Sequence, residues 1–128
     1  MTDARVSPPA FEPKAFPPRR FEEGAFIMRE GDPPGCAYVV QSGKVEIFRG
    51  KGANRRLLGV VKPGGIFGEM SLIDNSPRMA DAIAVETTVC LVIPPAAFRE
   101  KLDKTDPFIR ALLRILVKNT RSMAEVMD

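Results

Sequence analysis

Residues 64–82 read GGIFGEMSLIDNSPRMADA. Gly64, Gly65 and Gly68 free the backbone to turn and let it come close to a ligand. Glu69-Met70-Ser71-Leu72-Ile73 is an apolar run behind one acid, long enough for one or two helical turns. Asp74-Asn75-Ser76-Pro77 is turn chemistry, and Arg78 opens an alternating strand. A glycine turn entering a helix N-terminus, with an arginine returning to the same place, suits an anion. A plain strand–turn–strand connection with a surface arginine is the alternative that glycine alone leaves open.

Outward from this stretch the chain reads as short strands. Downstream, Arg78 to Val85 places Ala80, Ala82 and Ala84 on one side, and Thr88 to Ile93 is a buried strand. Upstream, Ala25 to Met28 is a strand closed by the turn Glu30-Gly31-Asp32-Pro33-Pro34-Gly35. Ala37 to Val40 is β-rich, and Gln41-Ser42-Gly43 turns into Lys44 to Phe48, with Val45 and Ile47 on one face. Gly50 to Asn54 is a hairpin loop and Leu57 to Val61 the return strand. Short strands cut by glycine and proline predict a mainly β fold, a double-stranded β-helix or jelly-roll barrel.

At Pro94-Pro95 the period changes. A short helix is expected over 95–104 and a second over 107–127, started by Thr105-Asp106-Pro107. Ile109, Leu112, Leu113, Leu116, Val117, Met123 and Met127 form an apolar stripe on the second helix. It packs on its own barrel or forms a dimer seam; a mixed role is expected, first turns on the barrel and later turns facing a partner. Arg110, Arg114, Lys118 and Arg121 form a basic stripe, read as a solvated face. Residues 1–20 hold Pro8, Pro9, Pro13, Pro17 and Pro18 and read as an extended arm, with Phe11 and Phe16 as anchors. The expected organisation is therefore an arm over 1–20 and one domain over 21–127, its jelly roll over 21–94.

Composition narrows the function. The 128 residues suffice for one domain with a core. Hydrophobic residues make up 45%, and the net charge is +3 with a pI near 9.1, too mild to indicate nucleic-acid binding by itself. The chain has no histidine, which excludes histidine zinc sites and Ser-His-Asp or Cys-His catalysis. No paired carboxylates mark a cleft, so no enzyme is expected. Cys36 and Cys90 lack metal-motif spacing and are read as reduced core thiols rather than a bridge. No segment approaches a membrane span or a secretory signal, so a cytoplasmic location is expected.

Four segments in order carry a resemblance: Arg29-Glu30-Gly31-Asp32, then Tyr38 to Glu46, then Phe67-Gly68-Glu69-Met70-Ser71-Leu72-Ile73, then Pro77-Arg78-Met79-Ala80. Over about residues 21–127 the chain resembles the cyclic nucleotide-binding domain shared by the catabolite activator protein, protein kinase A regulatory subunits and cyclic-nucleotide-gated channels. The resemblance implies a phosphate-binding cassette from Gly68 to Ala80 and a ligand, cAMP or cGMP, with no other cofactor and no metal. Arg78 would pair with the cyclic phosphate and Glu69 would accept from the ribose 2′-hydroxyl. Backbone groups at Gly68, Met70 and Ser71 would complete the cradle, with Met79 and Ala80 beside it. The chemistry agrees: a singly charged phosphodiester suits a guanidinium fork, while a carboxylate must face the neutral sugar.

Departures from the family's pattern refine this. Met79 stands where Ser or Thr is common, and a Thr there helps hold cGMP, so cAMP is favoured. Asp81 lies near the base end and either faces solvent or sets base or partner preference. Asn119, Arg121, Ala124 and Glu125 are candidates for base contacts. No helix-turn-helix follows the second helix, so a stand-alone sensor is expected. Its partners are the nucleotide, a second copy through the C-terminal helix, and an effector protein, without direct nucleic-acid contact or membrane insertion. The competing reading is a degenerate fold with an empty pocket, used for protein interaction or dimerisation.

Overall fold

Prolines and left-handed glycines cut the apolar segments into strands short enough to pair as two sheets. The computed structural model describes residues 15–126. The strands are β1 (Pro18–Phe21), β2 (Phe26–Met28), β3 (Ala37–Ser42), β4 (Val45–Arg49), β5 (Arg56–Val61), β6 (Ile66–Phe67), β7 (Asp81–Ala84) and β8 (Thr88–Ile93). The helices are α1 (Met70–Asp74), α2 (Pro95–Asp103) and α3 (Pro107–Val126). One antiparallel sheet has the order β1-β8-β3-β6 and the other β2-β7-β4-β5. This is the expected jelly roll with C-terminal helices.

The core lies between the sheets. Phe21, Tyr38, Val40 and Cys90 from the first meet Val45, Ala82 and Ala84 from the second. Val40 and Val45 are essentially inaccessible, and each contributes about 1.5–3 kcal/mol by leaving water. Tyr38 stacks on Phe67 at 5.1 Å between ring centroids and meets Phe21 edge-on at 6.1 Å. The first sheet is buried on its other face too. There Ala37, Val39, Leu91 and Ile93 pack with Leu72 of α1, and Phe98 of α2 and Phe16 close the cluster. Two buried faces explain why β3 is apolar at four successive positions rather than alternating.

Two element boundaries differ from expectation. Arg78 does not open β7, which begins at Asp81. The Arg78 backbone pairs instead with the turn after β2: its N–H donates to Asp32 O and its carbonyl accepts from Gly31 N, both at 2.8 Å. The arm also ends earlier than 20, because Pro18, Arg19 and Arg20 already pair with Leu91, Cys90 and Val89 of β8. Phe11, Pro8, Pro9, Pro13 and Met127 lie outside the described residues.

Pro95 stands in the first turn of α2, and Asp106 caps α3 through Phe108 N at 2.8 Å. The packing of α3 on the barrel, expected in its first turns, falls in its later ones. Its buried side chains are Val117 and Ala124, in the later turns, whereas Phe108 and Ile109 in the first turns are exposed. The basic stripe is solvated at Arg114 and Lys118, but Arg121 is not a solvated residue: it is tied to Asp74. Both cysteines are free, and burial pushes the Cys90 thiol up to about 11.

Candidate functional site

The stretch between β6 and β7 is folded around Arg78. β6 delivers the chain to Gly68, whose φ of 82° reverses it into α1, with Glu69 at the helix start. Asn75, at φ 55°, ends the helix in the left-handed conformation, and Ser76 N donates to Asp74 Oδ1 at 3.1 Å. Pro77 then returns the chain to Arg78. The Arg78 side chain is 6% exposed. Its Nη1 donates to Gly68 O and its Nη2 to Cys36 O, each at 2.8 Å. These bonds use two of the five guanidinium N–H groups.

Two glycines make this seat possible. A Cβ on Gly35 would lie 2.9 Å from Arg78 Nη2, and one on Gly68 would lie 2.9 Å from Nη1. Neighbouring polar groups fix the rest of the loop. Arg49 Nη1 donates to Met79 O at 2.6 Å, and Asp81 Oδ1 accepts from Glu30 N at 2.7 Å. Asp81 Oδ2 lies 3.6 Å from Arg55 Nη1. Asp81 therefore braces the turn after β2 and does not line the cavity described next.

A cavity of about 410 Å³ opens beside the cassette and under α3. Of the residues expected at the site, Gly68, Glu69, Met70, Met79 and Ala80 line it. Ser71 is buried behind them, and Arg78 faces an adjoining hollow of about 250 Å³ that shares Met79. The carboxyl of Glu69 is raised above its ordinary value because burial outweighs its backbone hydrogen bond and the attraction of Arg78. The cavity thus has an acid at one end, a guanidinium next door and apolar walls.

Those walls come from residues the sequence reading missed: Ile47 of β4, Leu58 and Val61 of β5, and Thr120 and Met123 of α3. Of the four helix residues expected at the base, only Ala124 lines this cavity. Arg121 and Glu125 border the smaller hollow, and Asn119 borders neither. The signal was the helical face itself, because Thr120 and Ala124 follow Val117 at spacings that place all three on the barrel side. Thr120 was overlooked because the stripe was drawn from apolar residues alone; its hydroxyl donates to Leu116 O at 2.9 Å. Two arginines hold this part of α3. Arg121 binds Asp74 through Nε at 2.6 Å, and Arg56 Nη2 donates to Ala124 O at 2.8 Å. Among the described residues, no group of His, Cys, Asp and Glu is placed to hold a metal ion.

Comparison with known proteins identifies a family. The sequence profile described as "Cyclic nucleotide-binding domain" matches residues 18–105. The cyclic AMP receptor protein of Thermus thermophilus is 44% identical over 86 residues, covering 66% of this chain and 38% of that protein. A CRP-like cAMP-activated global transcriptional regulator of Mycobacterium tuberculosis is 30% identical over 109 residues, covering 84% of this chain and 49% of its own length. The chain therefore spans less than half of these relatives. Among solved structures, the EAL enzyme Bd1971 in its cAMP-bound form superposes with a TM-score of 0.79 at 31% identity, over 85% of this chain and 30% of that one. Its cGMP-bound form gives 0.79 at 30% identity, over 87% and 30%.

Proposed function

Because the chain belongs to the cyclic nucleotide-binding domain family, we propose that its cavity takes a purine 3′,5′-cyclic nucleotide, cAMP in preference to cGMP, and that it acts as a regulatory sensor rather than an enzyme. The observation that carries this is the cavity of about 410 Å³, lined by Gly68, Glu69, Met70, Met79 and Ala80. That volume lies in the usual range for small-molecule sites. In this reading the remaining donors of Arg78 take the phosphate, with the first amides of α1, which have no intrahelical acceptor. Glu69 takes the ribose hydroxyl. The base lies against Met79 and Met123, with Thr120 the hydroxyl that α3 offers. Met79 lacks a hydroxyl for guanine, which supports cAMP.

The nucleotide joins the β-roll to α3 and so shifts the population of helix positions. The outer face of α3 supports a second copy as partner: Ile109, Leu112 and Leu116 follow seam spacing and are 41%, 40% and 51% exposed. An effector protein would read the change. We place the protein in the cytoplasm, without direct nucleic-acid contact or membrane insertion; no helix among the described residues is long and apolar enough to cross a membrane.

Calorimetric titration with cAMP and cGMP, on wild type and Arg78→Ala, tests the proposal. Heat and a thermal shift with cAMP, smaller with cGMP and absent in the variant, are expected. No heat and no shift at millimolar nucleotide would overturn it.

A further inference from the structure

The attachment of α3 to the cassette is polar where apolar packing is thin. The helix buries only Val117 and the small Ala124 among its described residues, and Met123 at the cavity rim is 67% exposed. Beside them Arg121 grips both ends of the turn that precedes Arg78. Its Nε donates to Asp74 Oδ2 at 2.6 Å, its Nη2 to Asp74 Oδ1 at 3.1 Å and its Nη1 to Pro77 O at 3.0 Å. The Arg121 and Asp74 side chains are 19% and 20% exposed, so the pair is shielded from much of the solvent. A two-pronged, charge-assisted contact of this kind is directional as well as strong.

We propose that Arg121 is a positioning residue, fixing the α3 wall of the cavity before any nucleotide arrives, so that affinity depends on a pair that does not touch the ligand. The proposal rests on the nucleotide-binding reading above. Thr120, Met123 and Ala124 form a wall only while α3 is seated. If the seat is occupied for a fraction of the time, the apparent dissociation constant rises by the inverse of that fraction. Removing the pair lowers the fraction in the free protein, and bound nucleotide restores it.

Arg121 also borders the hollow beside Arg78, so direct contact with the phosphate is the rival account. The two accounts differ at Asp74. A carboxylate cannot attract an anion, so under direct contact Asp74→Asn leaves cAMP affinity unchanged or improves it. Under positioning, Asp74→Asn and Arg121→Met both weaken affinity, by about tenfold for Arg121→Met and by less for Asp74→Asn, which keeps the bond from Arg121 to Pro77 O. The double variant is then no weaker than Arg121→Met alone, because that variant already removes the Asp74 pair together with the bond to Pro77 O. Asp74→Asn keeps an oxygen for Ser76 N, which protects the local turn.

The experiment is cAMP calorimetry on the full chain for wild type, both single variants, the double variant and Arg121→Lys. It is paired with amide hydrogen exchange over residues 119–126, with and without cAMP. Faster exchange in the free variants, slowed again by saturating cAMP, together with the non-additive loss and partial recovery in Arg121→Lys, supports the proposal. Undiminished affinity in Asp74→Asn, or unchanged exchange in the free variants, overturns it. If wild type takes up no cAMP, the binding reading fails, and exchange in the free variants still decides whether Arg121 seats the helix.

Discussion

Arg78 Nη2 reaches back 42 residues to donate to the carbonyl of Cys36 at 2.8 Å, with Nη1 on Gly68 O at the same distance. One guanidinium thus ties the start of β3 to the start of the cassette. Arg78→Ala should therefore do two things: remove the proposed phosphate partner and leave two shielded carbonyls unpaired. The unpaired groups cost about 1–3 kcal/mol. Thermal melting should show a drop of several degrees alongside the loss of nucleotide binding. A variant that melts like wild type would mean that the two carbonyl bonds contribute nothing.

Gly35→Ala tests the seat without touching the charge. The new Cβ would stand 2.9 Å from Nη2, closer than packing allows, so the guanidinium must move. Its backbone φ is not in the left-handed region, so the effect is steric. A fall in cAMP affinity of about tenfold is expected, near 1.4 kcal/mol. Titration at unchanged fold, checked by circular dichroism, measures it. Wild-type affinity would show that Arg78 does not need this seat.

Much of this was legible in the sequence, for local reasons. Glycine and proline punctuation located the strands, and Gly68, Glu69 and Arg78 stood out because few arrangements use such residues together. The start of β7 was misplaced because Arg78 has an alternating neighbourhood, yet its backbone pairs with Gly31 and Asp32, far away in sequence. The α3 wall was misread because the stripe hid which side meets the barrel; Val117 and Ala124 decide that, and both look ordinary. The role of Arg121 depends on Asp74, 47 residues away, and no periodicity reports such a contact.

Asp106 accepts from Phe108 N at 2.8 Å and its carbonyl accepts from Arg110 N at 3.0 Å, which makes it the N-cap of α3. Asp106→Ala should cost about 1 kcal/mol, about 4 °C in melting temperature. The cavity wall begins at Thr120, about four turns further on, so cAMP affinity should change little. A tenfold loss of affinity would show that the helix start is coupled to the site.

Leu116 is 51% exposed on the outer face of α3, away from the cavity. Leu116→Asp would place a charge in the proposed seam between two copies, where burial without a partner is costly. Sedimentation should show a dimer for wild type and a monomer for the variant. A monomeric wild type at high micromolar concentration would remove the dimer from the proposal.

Glu69 gives the pH test, and its sign follows from burial. Its carboxyl is raised above the ordinary 4.5 because desolvation outweighs the backbone hydrogen bond and Arg78. The folded protein therefore holds this proton more tightly than the unfolded chain does. The stabilising contribution is fully present below the unfolded value and is lost as pH rises through the folded one. Glu69→Gln removes that loss. The variant should melt higher than wild type at pH 7, and the gap should close as pH falls below the ordinary carboxylate value. Affinity should move oppositely: an amide replaces the carboxylate proposed to accept from the ribose hydroxyl, and cAMP binding at pH 7 should weaken by about tenfold. Melting and titration across pH 4–8 separate the two effects. A variant both less stable and unchanged in affinity at pH 7 would contradict the role given to this acid, since the same burial that makes it costly in the free protein is what makes it useful to a sugar.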